Sequence, residues 1–258
     1  MKHRAFNGVH VSGKIEAVQL FGVLHLALLG AIGAIAATIC VLVRRRILSP
    51  AAVRYTIGFG LAICELIWWG FRYSHEGFRF PFNLPLQLCD VSIWTTVAAC
   101  ITLAPWAVEF AYFAGLAGAG MALLTPDLWS PWPSYPAIYF FIAHGGIVTG
   151  AVVLVYGRVA RLRDGAVWRA FAMLLVYAGI VGVFNAVFKS NYMYLREKPR
   201  NPSLLDALGP WPWYLVGGAA IALALYWLFW IPVRLLAKDS LSPSSPEKLT
   251  RARSTGQP

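Results

Sequence analysis

Seven apolar stretches, each close to the length of a bilayer crossing, constrain this chain more than any other feature. They run over 18–43, 55–71, 84–103, 106–124, 137–156, 168–188 and 213–236. A helix needs roughly 20 predominantly apolar residues to cross the hydrocarbon core. Only helices and closed barrels satisfy their backbone polar groups there. The runs are continuous rather than alternating, so they predict an all-α, multi-pass transmembrane helix bundle. Charged residues make up 13% of the chain, about half the share usual in soluble domains. A polar arm over 1–17 precedes the helical domain, 18–237. A basic tail over 238–258, rich in Ser and Pro, reads as disordered. The first run ends in Arg44-Arg45-Arg46 and not in a small-residue cleavage site, so it reads as a membrane helix and not a signal peptide.

The net charge of +11 does not indicate a nucleic-acid partner, because the basic residues cluster at the ends of apolar runs. That pattern records membrane orientation and contact with anionic lipid. Of the 22 Lys and Arg, 13 fall on the side holding the loops after the first and fifth spans and the C-terminal tail. The positive-inside rule makes that side cytoplasmic. The expectation is therefore a protein of the cell membrane, N-terminus outside and C-terminus cytoplasmic, with membrane lipids as partners. Trp129, Trp132, Tyr135, Trp211 and Trp213 gather at the outer interface in this topology. The four cysteines, Cys40, Cys64, Cys89 and Cys100, lie inside apolar runs without paired spacing. Neither a disulfide framework nor a metal site is indicated, and no cofactor is expected.

Polar residues inside a membrane are costly and are functional hypotheses by default. The third span is led by Asn83-Leu-Pro-Leu-Gln-Leu-Cys-Asp90. Asn83 or Leu84 can cap that helix, with Pro85 in its first turn. Cys89 then lies beyond the first turn, with Ser92 and Thr96 following on its face. The third and fifth spans run the same way, and Cys89 and His144 lie at similar depths from their outer ends at about 1.5 Å per residue. A Cys–His pair is the arrangement of an activated thiol nucleophile. Gly145-Gly146 beside His144 gives room for a substrate or for close helix packing. Glu65, Asp90, Asp127, Asn185 and Lys189, with Asn191-Tyr192, fall in the same outer half, while the cytoplasmic halves read as almost purely apolar. Glu65 reads as one side of an internal ion pair, with Lys189 or Arg72. Asp90 reads as a bond to the helix-start backbone or to Gln87. Each residue also has a plain structural reading: a buried Cys is most often a small hydrophobe.

Several blocks carry a family resemblance. Leu84-Pro-Leu-Gln-Leu-Cys-Asp90, Met121-Ala-Leu-Leu-Thr-Pro-Asp127, His144-Gly-Gly, Asn191-Tyr-Met-Tyr-Leu195 and Gly209-Pro-Trp-Pro-Trp-Tyr214 resemble the bacterial YwaF family, grouped with the animal transmembrane protein 164. The resemblance covers about residues 50–236 and implies a helical fold like that of the androgen-induced-gene hydrolases. It further implies a lipid acyltransferase whose active-centre Cys and His correspond to Cys89 and His144. The chain departs from the pattern at Gln87, where a His is expected in many relatives. The expectation is a lipid acyltransferase or lipase that uses Cys89 as nucleophile and His144 as base. Glu65, Gln87, Asp90, Asp127, Asn185, Asn191 and Tyr192 would support the site or bind substrate. The alternative from another class is a small-solute or lipid transporter, or a lipid-binding membrane protein, with an outward-facing polar cavity in which Glu65 carries protons.

Overall fold

The structure is a computed structural model that describes residues 18–126, 128, 130–199 and 204–239. The polar arm, Asp127, Trp129 and nearly all of the tail lie outside the described residues. Seven helices follow in order: α1 (Val23–Arg44), α2 (Pro50–Glu76), α3 (Leu88–Thr102), α4 (Pro105–Leu124), α5 (Tyr135–Tyr156), α6 (Ala166–Phe188) and α7 (Trp213–Asp239). All but α3 are long and apolar enough to cross a membrane. At 15 residues, α3 is about 22 Å long, short of a hydrocarbon core of about 30 Å. The expected seventh span is thus a short helix preceded by a non-helical segment.

Proline and serine set several of the helix starts. Ser49 caps α2, its hydroxyl accepting from Ala52 N at 3.4 Å, and Pro50 takes the first position, where no N–H is needed. Pro105 does the same for α4, where Ala104 is the cap, and Leu103 before it turns the chain in a left-handed conformation. A tight hairpin between α3 and α4 is the result.

Burial separates an inner set of helices from an outer one. In their most apolar stretches α4 and α5 are 67% buried, α6 17% and α7 6%. The α6 residues Val176, Ile180, Val183 and Val187 are all exposed at helical spacing, which is the pattern of a lipid-facing stripe. Apolar burial does not drive helices together in lipid, so close fit does. A methyl group on Gly58 of α2 would meet Cys100 Cβ of α3 at 3.0 Å, and one on Gly150 of α5 would meet Thr96 Cγ2 at 2.8 Å. α3 is therefore wedged between α2 and α5. Within α4 a π-helical turn covers Ala111–Gly115 and brings Gly115 against both α3 and α5. Such turns shift the face a helix presents and recur at functional sites.

Candidate functional site

α3 starts later than its sequence signals predict. Asn83, Leu84 and Pro85 are not helical; Gln87 is the cap and Leu88 the first helical residue. The difference has a physical cause in competing partners for this segment. The Asn83 side chain accepts from Arg79 N at 2.8 Å and donates to Gly77 O at 2.7 Å. Leu84 N donates to the Tyr192 hydroxyl at 2.7 Å, and that hydroxyl donates to Pro81 O at 2.7 Å. Tyr177 of α6 donates to Leu86 O at 3.1 Å. These long-range bonds outweigh the local cap signal, as tertiary context commonly does. Asp90 closes the start of the helix by accepting from Gln87 N at 2.9 Å.

The late start moves Cys89 into the first turn, not beyond it. There the backbone N–H groups lack intrahelical acceptors, and the helix field favours negative charge. Cys89 is a free thiol.

His144 is 7% exposed on α5. Its Nδ1 lies 2.8 Å from Phe140 O, and its ring packs on Phe140 with centroids 4.3 Å apart. A carbonyl oxygen can only accept, so Nδ1 carries the proton of the neutral ring and Nε2 holds the lone pair. Among the described residues Nε2 has no hydrogen-bond partner, and no hydrogen bond joins His144 to Cys89. Their depth can be read from Gly115. A methyl group there would lie 3.0 Å from Ile147 Cγ2 and 3.8 Å from Ser92 Cβ, so Ile147 and Ser92 share a level. His144 is three residues before Ile147 and Cys89 three before Ser92, on helices running the same way. Both are about one turn nearer the same end of the bundle.

The remaining candidates have different partners from those expected. Glu65 makes no ion pair among the described residues. Its Oε1 accepts from Trp69 Nε1 at 2.6 Å and its Oε2 accepts from the Tyr139 hydroxyl. Tyr139 stacks on Trp68 at 4.2 Å between centroids. Arg72 pairs with Glu76 at 3.1 Å instead. Gln87 Oε1 accepts from Met193 N at 2.9 Å. Asn185 donates to Tyr192 O at 2.9 Å and accepts from Tyr192 N at 2.9 Å and from the Ser190 hydroxyl at 2.8 Å. Asn191 binds the backbone of Arg196 and Glu197. Asp127 lies outside the described residues. Burial pushes the Tyr192 phenol up from its ordinary value, so it stays neutral and keeps its donor. Asn185, Tyr192 and Gln87 thus form one chain of bonds that ties the loop after α6 to the segment leading into Cys89.

The sequence reading missed Tyr139, Trp69 and Tyr177, because it sought cations for the buried carboxylate and overlooked aromatic donors. It also missed His25 of α1, fully buried, whose Nε2 reaches Leu123 O at 2.8 Å. At the opposite end the expected apolar interior is interrupted. Glu109 of α4 is 1% exposed and is held by Arg163 at 2.8 and 3.0 Å and by Arg169 at 2.9 and 2.7 Å. A lone Glu in an apolar run, with arginines two spans away, was the available signal. Among the described residues no group of three or more His, Cys, Asp or Glu is placed to hold a metal ion.

The sequence profile of the TMEM164 family matches residues 20–231, which is most of the chain. No curated protein and no solved structure matches it.

Proposed function

The chain belongs to the TMEM164 family and is an integral membrane protein with multiple helical spans; from that premise we propose that it is a lipid acyl-transfer enzyme using Cys89 and His144. The observation that carries the reading is the tautomer of His144. With Nδ1–H held by Phe140 O, the free Nε2 is a base, and it lies at the level of a thiol in the first turn of α3. Contacts of this kind are often open in the resting enzyme and tighten around substrate.

In the proposed reaction Nε2 takes the thiol proton as Cys89 Sγ attacks the carbonyl carbon of an acyl ester. Backbone N–H groups of the α3 first turn stabilise the negative oxygen that develops. When the tetrahedral species collapses, the ester C–O bond breaks and the imidazolium returns the proton to the leaving alcohol. The acyl group remains on sulfur as a thioester. A lysolipid hydroxyl then attacks with His144 again as base, the C–S bond breaks, and the thiol is restored. Water in place of the lysolipid makes the same cycle a hydrolysis. Gln87, Asn185 and Tyr192 act by fixing the segment that presents Cys89, and Asp90 by closing the start of its helix. With the N-terminus outside, the site serves the outer leaflet of the cell membrane.

Mass spectrometry of the intact protein after incubation with phospholipid tests this. An acyl adduct that is released by neutral hydroxylamine and lost in Cys89→Ser is the expected result. An adduct that persists in Cys89→Ser, or none in the wild type under turnover, overturns it.

A further inference from the structure

A cavity of about 1550 Å³ lies between α4, α6 and α7. Pockets for small ligands usually hold about 300–1,000 Å³, so this one is large enough for a chain rather than a compact molecule. Its walls are mainly apolar, and each helix gives small residues to them: Ala117 and Gly118 of α4, Ala178 and Gly182 of α6, Gly218 and Ala222 of α7. Small residues between membrane helices ordinarily let the helices touch. Here they do not. A methyl group on Gly218 would meet nothing within 4 Å, and one on Gly182 would first meet Leu195 at 3.9 Å. The space left is bounded by Leu88, the residue before Cys89.

The rim differs from the walls. Tyr194, Arg196 and Trp211 stand there, and Arg196 is the only charged side chain among the described residues that line the cavity. Arg196 is exposed, and among the described residues its side chain makes one long contact, of 3.4 Å, to Ser190 O. Trp211 donates to Leu195 O at 3.2 Å and is otherwise exposed, as an interfacial Trp is. The rim is at the end of the bundle where α3 begins.

The geometry points to a phospholipid site: the cavity between α4, α6 and α7 holds an acyl chain, and Arg196 at its rim holds the phosphate. Apolar depth with a single cation at the mouth matches the two ends of such a lipid. A guanidinium suits phosphate because its planar donors fit two phosphate oxygens at once. This goes beyond the acyl-transfer reading, since binding needs no chemistry at Cys89 and holds in Cys89→Ser.

The test is lipid retention by the purified full-length protein in detergent, read by native mass spectrometry. The probes are palmitoyl-oleoyl phosphatidylglycerol and dioleoylglycerol, which lacks phosphate. The background is Cys89→Ser, so that turnover does not consume the ligand. Gly218→Leu fills the cavity and should weaken retention of both probes at least about tenfold. Gly179→Leu is the matched control: a methyl group there also meets nothing, and Gly179 does not line the cavity. It should bind as the parent does. Arg196→Gln should weaken phosphatidylglycerol about fivefold and leave dioleoylglycerol unchanged. If Gly218→Leu does not fold, Gly182→Leu replaces it with the same expectation. Equal retention by the cavity-filling and control variants overturns the site. An equal response of both probes to Arg196→Gln overturns the phosphate contact. Neither result depends on whether a thioester forms at Cys89.

Discussion

Glu65 and Glu109 are both almost completely buried in membrane helices, and they are satisfied in opposite ways. Glu109 sits between two guanidinium groups that each bind it through two nitrogens. Its charge is matched, and the clamp joins α4 to the α5–α6 loop and to α6. Glu65 has only neutral donors, an indole and a phenol, and it lies near the proposed nucleophile. One end of the bundle is therefore locked by charge pairing. The other is an aromatic and backbone network around the proposed nucleophile. The difference separates a charge-paired carboxylate from one held by neutral donors beside the proposed site, which residue type and burial alone do not.

The largest effect should come from the clamp. Replacing both Arg163 and Arg169 by Ala leaves Glu109 as a buried charge without a partner, at a cost of about 3 kcal/mol or more. Loss of folded protein in detergent, followed by size-exclusion and thermal unfolding, is the expected outcome. Glu109→Gln should be milder, because the two arginines are half-exposed and can turn to water while Gln still accepts a bond. If Glu109→Gln proves the more damaging, the clamp is not what holds this end.

Next is Tyr139→Phe. It strips Glu65 of one of its two donors inside the bundle, which costs about 1–3 kcal/mol. Glu65→Gln keeps one acceptor oxygen and should lower stability less, leaving lipid turnover in the folded fraction. A well-folded but inactive Glu65→Gln protein would move Glu65 from support to chemistry and would sharpen the contrast with Glu109.

Tyr192→Phe should have the smallest global effect, about 1 kcal/mol. Its local effect is specific: the Leu84 amide loses its partner and its hydrogen exchange should rise, while the clamp end stays protected. Uniform loosening would mean the two ends are not independent. A topology test accompanies these. Alkaline phosphatase fused after Asn201 should be active and after Arg163 inactive, which puts the Cys89 end outside and the clamp inside. The reverse pattern inverts the proposed orientation.

The sequence made the helical class and six of the spans legible, because continuous apolar runs have only one solution in lipid. It also brought Cys89 and His144 to one depth, since helical rise converts residue number into distance. What it did not show were the bonds between distant segments. The start of α3 depends on Tyr192, Tyr177 and Met193, which are about 90 residues or more away in the chain. No local cap rule contains them, and so Cys89 was expected too deep in its helix. Glu65 was assigned a cation because charge invites charge, while Trp69 lay one turn along its own helix. Glu109 went unread in the midst of an apolar run. Its partners come from the α5–α6 loop and the start of α6, more than 50 residues on in the chain.

The central claim is that His144 makes Cys89 a nucleophile. The direct measurement is the rate of Cys89 alkylation by a haloacetamide across pH, in the wild type and in His144→Ala, with Cys64→Ser and Cys100→Ser as background controls. The account predicts that loss of the imidazole slows Cys89 alkylation at neutral pH at least about tenfold and moves its pH profile upward, with membrane insertion unchanged. An unchanged rate and profile in His144→Ala would contradict it.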